Sequence, residues 1–442
     1  MSPKSPLVRP FFLAAALALA AQPSHARRLA VGPGKTYAKP SLAAAAAQKG
    51  DTVDIDVGVY TGDACTWDAD NLLIRGVPVA GVSAKYAHLD SKGVHVQGKG
   101  IWVVDGKNTT IENIEFSGAK VPDENGAGIR QQGPGVTIRN CYFHDNENGV
   151  FGAGYDMIIE YTEFNHNGLG ERGRTHNIYI DEGSSLTLRH CYSHHAVIGH
   201  NVKSRAVKNY ILYNRIMDEA DGTSSYDIDL PNGGFAIIMG NVIQQGPDTD
   251  NSTIVSYGAE GYKNAPNELY FVNNTLVNDR SGGAFLNISA GAAVAKVRNN
   301  FFVGSGTLVS GTMTDSGGNV ASATGGLVNK AAYDYRITAA SPAVNKGTAA
   351  GSAGDFALTP LFEYVHPVSR QARVLKGAID AGAYEVGDPS GIKGPRAGSK
   401  TKAGGKAGKG SARRPDAAGF HPALPTEPDT WFDSAGRHFD GG

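Results

Sequence analysis

A short phrase returns along the middle of the chain at a loose interval, and that interval restricts the fold more than any other feature. It first reads Ile111-Glu112-Asn113-Ile114-Glu115-Phe116. It returns as Ile138-Arg139-Asn140-Cys141-Tyr142-Phe143, then as Ile159-Glu160-Tyr161-Thr162-Glu163-Phe164. Its central position falls on Asn113, Asn140, Tyr161, His190, Asn214, Gly240, Asn274 and Asn299, in steps of 27, 21, 29, 24, 26, 34 and 25 residues. A propeller blade needs a longer and more regular unit, and a leucine-rich repeat needs a leucine scaffold. Short alternating runs at irregular steps in the twenties predict an all-β solenoid: a single-stranded, right-handed parallel β-helix with loops of variable length between its strands. Asn suits the bend because it tolerates left-handed backbone and can bond along the stack.

The ends of such a stack need cover, since open strand edges invite pairing. Pro40-Ser41-Leu42 and the alanines after it predict a short N-terminal capping helix with Ser41 as N-cap. The first coils follow at Asp54-Ile55-Asp56-Val57 and Leu72-Leu73-Ile74. Asp334-Tyr335-Arg336-Ile337, Ser341-Pro342-Ala343-Val344-Asn345 and Ile379-Asp380-Ala381-Gly382-Ala383-Tyr384-Glu385 lie at the far end. These phrases resemble the closing segment of secreted bacterial β-helix proteins of the pectate-lyase-like superfamily. That resemblance covers roughly residues 30–387 and implies the fold, with carbohydrate as the expected ligand.

Three cysteines, Cys65, Cys141 and Cys191, are too few and too scattered for a disulfide framework or a zinc motif. Cys141 and Cys191 share a column two coils apart, roughly 9.6 Å at the strand spacing of a sheet, which is beyond disulfide reach. Lys4 and Arg9, an apolar run over residues 11–21, and Ser24-His25-Ala26 read as a secretory signal over residues 1–26. A periplasmic or secreted, monomeric protein with no transmembrane segment is expected. Residues 27–387 form the β-helix domain, and residues 388–442 read as a flexible tail rich in Gly, Lys, Ala and Pro. Residues 393–414 hold eight basic side chains and no acidic ones, so a chain with 41 Lys+Arg and 42 Asp+Glu has a net acidic body. That argues against a nucleic-acid face.

Residues 175–231 contain three coils in close register. The phrases are His176-Asn177-Ile178-Tyr179-Ile180-Asp181, His200-Asn201-Val202-Lys203-Ser204-Arg205 and Ser224-Ser225-Tyr226-Asp227-Ile228-Asp229, each 24 residues after the last. Strand alternation sends the aliphatic residues inward and their neighbours out. The predicted outward columns are Tyr179, Lys203, Asp227; then Asp181, Arg205, Asp229; then Asn177, Asn201, Ser225. His176 and His200 stack at the edge, and Tyr226 offers a ring for a sugar.

This patch suits β-elimination of an acidic, uronate-containing polysaccharide. That reaction needs a cation on the uronate carboxylate, a base for the adjacent C–H, and an acid for the leaving oxygen. Arg205 fits the first role and Lys203 the second, with Tyr179 or a histidine as acid. A carboxylate from Asp227 beside Lys203 would oppose base function, which keeps Tyr179 and His200 open as alternative bases. His176, Asn177, Asn201, Asp181, Asp229 and Tyr226 are the candidate substrate contacts. Hydrolysis through Asp227 and Asp229, about 6.6 Å apart along one strand, uronate epimerisation, and non-catalytic polysaccharide binding in the envelope or matrix are the alternatives. Asp218, Glu219 and Asp221 form an acidic turn, read as a solvated loop.

Val202-Lys203-Ser204, followed by Tyr210, Asn214 and Gly222-Thr223, is similar to the lysine coil of alginate and chondroitin B lyases. The resemblance implies Lys203 as base. In that family calcium neutralises the carboxylate and an arginine one coil on assists. Here the arginine position falls on or near Asp227, and the acidic calcium ligands fall near Ala196 and Ile198. No cofactor is therefore expected, Arg205 stands in for the metal, and Ca2+ is the alternative.

Overall fold

In a computed structural model, residues 26–170, 174–197 and 199–387 are described. The signal expected over residues 1–26 and the tail expected over residues 388–442 therefore lie almost wholly outside the described residues.

The body is a parallel β-helix. Three parallel sheets of 12, 11 and 10 strands run its length, and each coil gives one strand to each sheet in turn. The first sheet starts at Arg28–Val31, the second at Gly58–Thr61 and the third at Cys65–Trp67. Alternate side chains fill the bore: Ile111, Ile138, Ile159 and Leu188 from the first sheet and Ile129, Val150, Ile178 and Val202 from the third are fully buried. Phe116, Phe143 and Phe164 lie face to face with centroids 4.9 Å apart, which matches the rise per coil.

The bend between first and second sheets explains the repeated phrase. Asn113, Asn140, Tyr161, His190, Tyr213, Gly240, Asn273 and Asn299 all have positive φ, between 49° and 70°. Tyr161 and His190 occupy this left-handed position at some cost and stack with centroids 5.0 Å apart. Two members of the expected column sit one residue further on. Asn214 and Asn274 belong to a second, inward ladder with Asn241, Asn300 and Asn319. In it each side-chain amide donates to the next carbonyl along the stack and to a strand carbonyl such as Leu188 O or Ile211 O. The inward ladder runs beside the left-handed column, whose own asparagines also bond along the stack, Asn140 to Asn113 and Asn299 to Asn273.

The capping helix is present at Pro40–Ala44, with Pro40 at its first turn. Ser41 is not its N-cap. Lys39 holds that position without a side-chain bond, while the Ser41 amide donates to Asp63 Oδ2 at 2.9 Å. The cysteines are buried and unpaired. The C-terminal segments do more than close the end. Tyr335, Ile337, Ala343, Ala381 and Tyr384 pack on the outer face of the second sheet, against Tyr192, Met217 and Val277. Ala350, Ala353 and Leu358 pack on that of the first, against Tyr213, Met239 and Tyr270.

Candidate functional site

Strand pairing in the third sheet sets the site. Tyr179 pairs with Lys203, and Lys203 pairs with Asp229. The outward column continues back through Phe151 to Arg130 and forward to Ser256. The expected alignment of Asp227 with Lys203 is therefore wrong by two residues, because the loop before Ile228 is longer than the one before Val202. Alternation cannot detect such a slip, since a shift of two keeps every side chain on its own face.

The slip changes which residues meet. Asp227 is 1% exposed at the corner, where its Oδ1 accepts from Asn201 Nδ2 at 2.9 Å. Asn177 and Asn201 are fully buried in a corner ladder that also contains Asn146 and Asn167. These three are structural, not substrate contacts or catalysts. The hydrolytic pair of Asp227 with Asp229 is lost with them. The acidic turn is not solvated throughout either. Asp218 is buried, accepting from Ser224 Oγ at 2.8 Å and from the same Asn201 amide that bonds Asp227. Burial pushes the Asp218 carboxyl up to about 6, and burial followed by the Asp218 charge holds Asp227 well above the carboxylate range.

What does converge is Tyr179, Asp181, His200, Lys203, Arg205 and Asp229, joined by Glu260. The face is recessed rather than open here, with Lys203 7% and Asp229 4% exposed. Among the described residues the Lys203 ammonium has no hydrogen-bond or ion-pair partner. It lies 5.7 Å from the centre of the Tyr179 ring, with Asp229 on the next rung. Burial pulls the Lys203 amine below its ordinary range against the raising effect of Asp229. Burial likewise pushes Asp229 up to about 6 against the charge of Lys203. Both shifts are toward the neutral forms.

His200 is placed at the site but cannot be the base. Its Nδ1 accepts from the Tyr226 amide at 3.1 Å, which assigns the proton of the neutral ring to Nε2. That Nε2 faces Asp229 Oδ2 at 3.6 Å. Burial, with Lys203 and Arg205 nearby, pushes the imidazole down to about 3, so it stays neutral. His176 lies fully buried beneath it, rings 4.8 Å apart, with its Nδ1 accepting from the His200 amide. It supports Tyr179 edge-on at 5.0 Å and is too deep to touch substrate. Tyr226 is half-buried, its ring 5.1 Å from His200.

Arg205 does not lie between Asp181 and Asp229. Its guanidinium grips Glu260 through two bonds of 2.7 and 3.0 Å, donates to the Tyr179 hydroxyl, and approaches Asp181 at 3.4 Å. The Tyr179 hydroxyl in turn donates to Asp181 Oδ1 at 3.1 Å. Burial pushes that phenol up to about 12, so it is an acid and not a base near neutral pH. Two contributors lie outside the three coils of the patch. Glu260 comes from a loop two coils further along the chain. Arg130, whose guanidinium stacks on the Phe151 ring at 3.5 Å, has a buried Nη1 without a hydrogen-bond partner among the described residues. Extending the column two coils back would have found Arg130.

The family described as right handed beta helix region matches residues 58–302. The chain belongs to the right-handed β-helix family. This β-helix superposes on the crystal structure of pectate lyase Pel9A with a TM-score of 0.54 at 15% identity, over 82% of this chain and 97% of that one. It matches ORF18 of Geobacillus virus E2 at a TM-score of 0.38 and 14% identity, over 61% of this chain and 52% of that one. No curated protein matches the sequence. At these identities the likeness concerns the fold.

Proposed function

We propose that this β-helix is an exported, carbohydrate-active enzyme that cleaves a uronate-containing polysaccharide by β-elimination at the third-sheet site around Lys203. The observation that carries the reading is Lys203: a recessed amine without an ion-pair partner among the described residues, held between a phenol and a buried carboxyl. The pectate lyase likeness in fold and the signal read in residues 1–26 support it.

In this mechanism the neutral Lys203 amine takes the proton from the carbon beside the uronate carboxylate. The electron pair forms the new C=C bond as the glycosidic C–O bond breaks. The Tyr179 hydroxyl gives its proton to the leaving oxygen, and Arg205 and Asp181 fix that hydroxyl. The uronate carboxylate takes the place of Glu260 on the Arg205 fork, which Glu260 reaches from a loop with its own side chain 39% exposed. Arg130 binds the carboxylate of a more distant sugar of the same chain, three rungs or about 14 Å along the column.

A second reading, polysaccharide binding without cleavage, draws on the Tyr179–Arg205–Glu260–Asp181 network, which is already satisfied and resembles a stabilising charge ladder. Incubation with a panel of uronic-acid polymers separates the two. Ultraviolet absorbance from an unsaturated product supports elimination. Binding with no unsaturated product, no new reducing ends and no epimerised sugar rejects the enzyme.

A further inference from the structure

A second constellation lies on another face of the stack. Ala87–Asp90, Ile114–Ser117 and Tyr142–His144 are strands of three successive coils in the second sheet. Ala87, Leu89, Ile114, Phe116 and Phe143 turn inward and are fully buried. Alternation therefore sends His88, Glu115 and His144 outward. His88 pairs directly with Glu115, while His144 pairs with Ser117, two residues further on. The three side chains meet diagonally.

We propose that His88, Glu115 and His144 form a binding site for a first-row divalent cation of the Zn2+ class. The ligand atoms of the three lie within 4.8 Å of one another, and among the described residues no other trio of His, Cys, Asp or Glu does this. Glu115 Oε1 is 3.0 Å from His144 Nε2 and 3.7 Å from His88 Nδ1. Ligand atoms around a tetrahedral zinc stand roughly 3.4 Å apart, given bonds of 2.0–2.2 Å, so these distances bracket the requirement.

The outer contacts supply the stronger argument. A ligating imidazole ordinarily gives its other nitrogen to a fixed acceptor, which sets tautomer and ring orientation. His144 Nδ1 lies 2.7 Å from Asp145 Oδ2, and His88 Nε2 lies 2.7 Å from Ser117 Oγ. With its proton on the nitrogen that faces Asp145 or Ser117, each ring can offer the nitrogen aimed at Glu115 to an ion as a lone pair. Two imidazoles and one carboxylate suit zinc or a neighbouring transition metal and do not suit Ca2+ or Mg2+, which take oxygen ligands. Each side chain is about a fifth exposed, His88 21%, Glu115 22% and His144 19%, so solvent reaches the centre and can fill a fourth position. A bound ion would also tie three coils together. The site does not depend on the lyase reading.

Calorimetric titration of the full chain with Zn2+ alone tests this. One equivalent is expected, with affinity falling at least ten-fold in Glu115→Gln and in His144→Ala. Asp145→Asn, which removes only the charge of the outer acceptor, should weaken binding about 10-fold. His195→Ala, outside the trio, should leave it unchanged. If a trio variant fails to fold, protection of His88 and His144 in the wild type from carbethoxylation by Zn2+, read by mass spectrometry, gives the answer. No stoichiometric binding, affinity indifferent to Glu115 and His144, or zinc protection confined to other histidines overturns the site.

Discussion

Asp229→Asn should move the ionisation of Lys203 to lower pH. The two occupy adjacent rungs of the third sheet, about 4.8 Å apart. At that distance a full negative charge favours the ammonium by about 0.9 kcal/mol at the dielectric of water and about 3.5 kcal/mol at an effective dielectric of 20. With 1.36 kcal/mol per pKa unit, that is a shift of about 0.6 to 2.5 pH units. The sign follows from the charges: the carboxylate raises the amine and burial lowers it, so removing the carboxylate leaves burial unopposed. NMR titration of lysine Cε resonances reads the change directly without substrate, provided it is done above pH about 6, where Asp229 is ionised in the wild type. In the activity profile the acid limb should move the same way. Asp227→Asn is the control and should leave Lys203 unmoved, because Asp227 faces the interior corner. A null or upward shift in Asp229→Asn, or the expected shift in Asp227→Asn, refutes the register on which the site is built.

Four further outcomes follow from the same geometry. Tyr179→Phe removes the proposed acid and should lower turnover about 100-fold or more. The unfolding midpoint should stay nearly unchanged, because the ring keeps its packing on Phe151 and His176. Glu260→Gln frees the Arg205 fork and should tighten binding of an anionic oligosaccharide, seen as a lower KM or Kd. Asn241→Ala removes the partner of Ile211 O and of the two Asn214 N–H groups it bonds, and should cost about 3 kcal/mol or more in denaturant unfolding, at about 1–3 kcal/mol per orphaned group. Asp218 and Asp229 titrate near 6 when folded and near 4 when unfolded, so the native state holds more protons between those values. Their contribution to stability is full below about pH 4 and is lost as pH rises through about 6; unfolding midpoints across that window check it.

The bend phrase was enough to read a parallel β-helix, because each coil repeats the same demand for a left-handed residue followed by inward bonding. The same signal did not distinguish the left-handed position from the ladder position at Tyr213-Asn214 and Asn273-Asn274, where both neighbours are compatible with the bend. Tyr179, Lys203 and Arg205 were readable as outward residues because aliphatic neighbours flank them. Their partner in the next coil was not, since a two-residue change in loop length leaves alternation intact and swaps Asp229 for Asp227. Glu260 was invisible to strand patterning because it arrives on a loop. The exclusion of His200 as base rests on one backbone donor, the Tyr226 amide, which no residue pattern announces. His88, Glu115 and His144 meet only because register offsets His144 by two residues from the row of the other two.

Product formation by wild type and Lys203→Ala on the uronic-acid polymer panel bears most directly on the central claim. The account predicts an unsaturated product from at least one polymer with the wild type, and a loss of about 100-fold or more in turnover with the variant, while its circular dichroism and unfolding midpoint match the wild type. An unsaturated product formed by Lys203→Ala at the wild-type rate would contradict it.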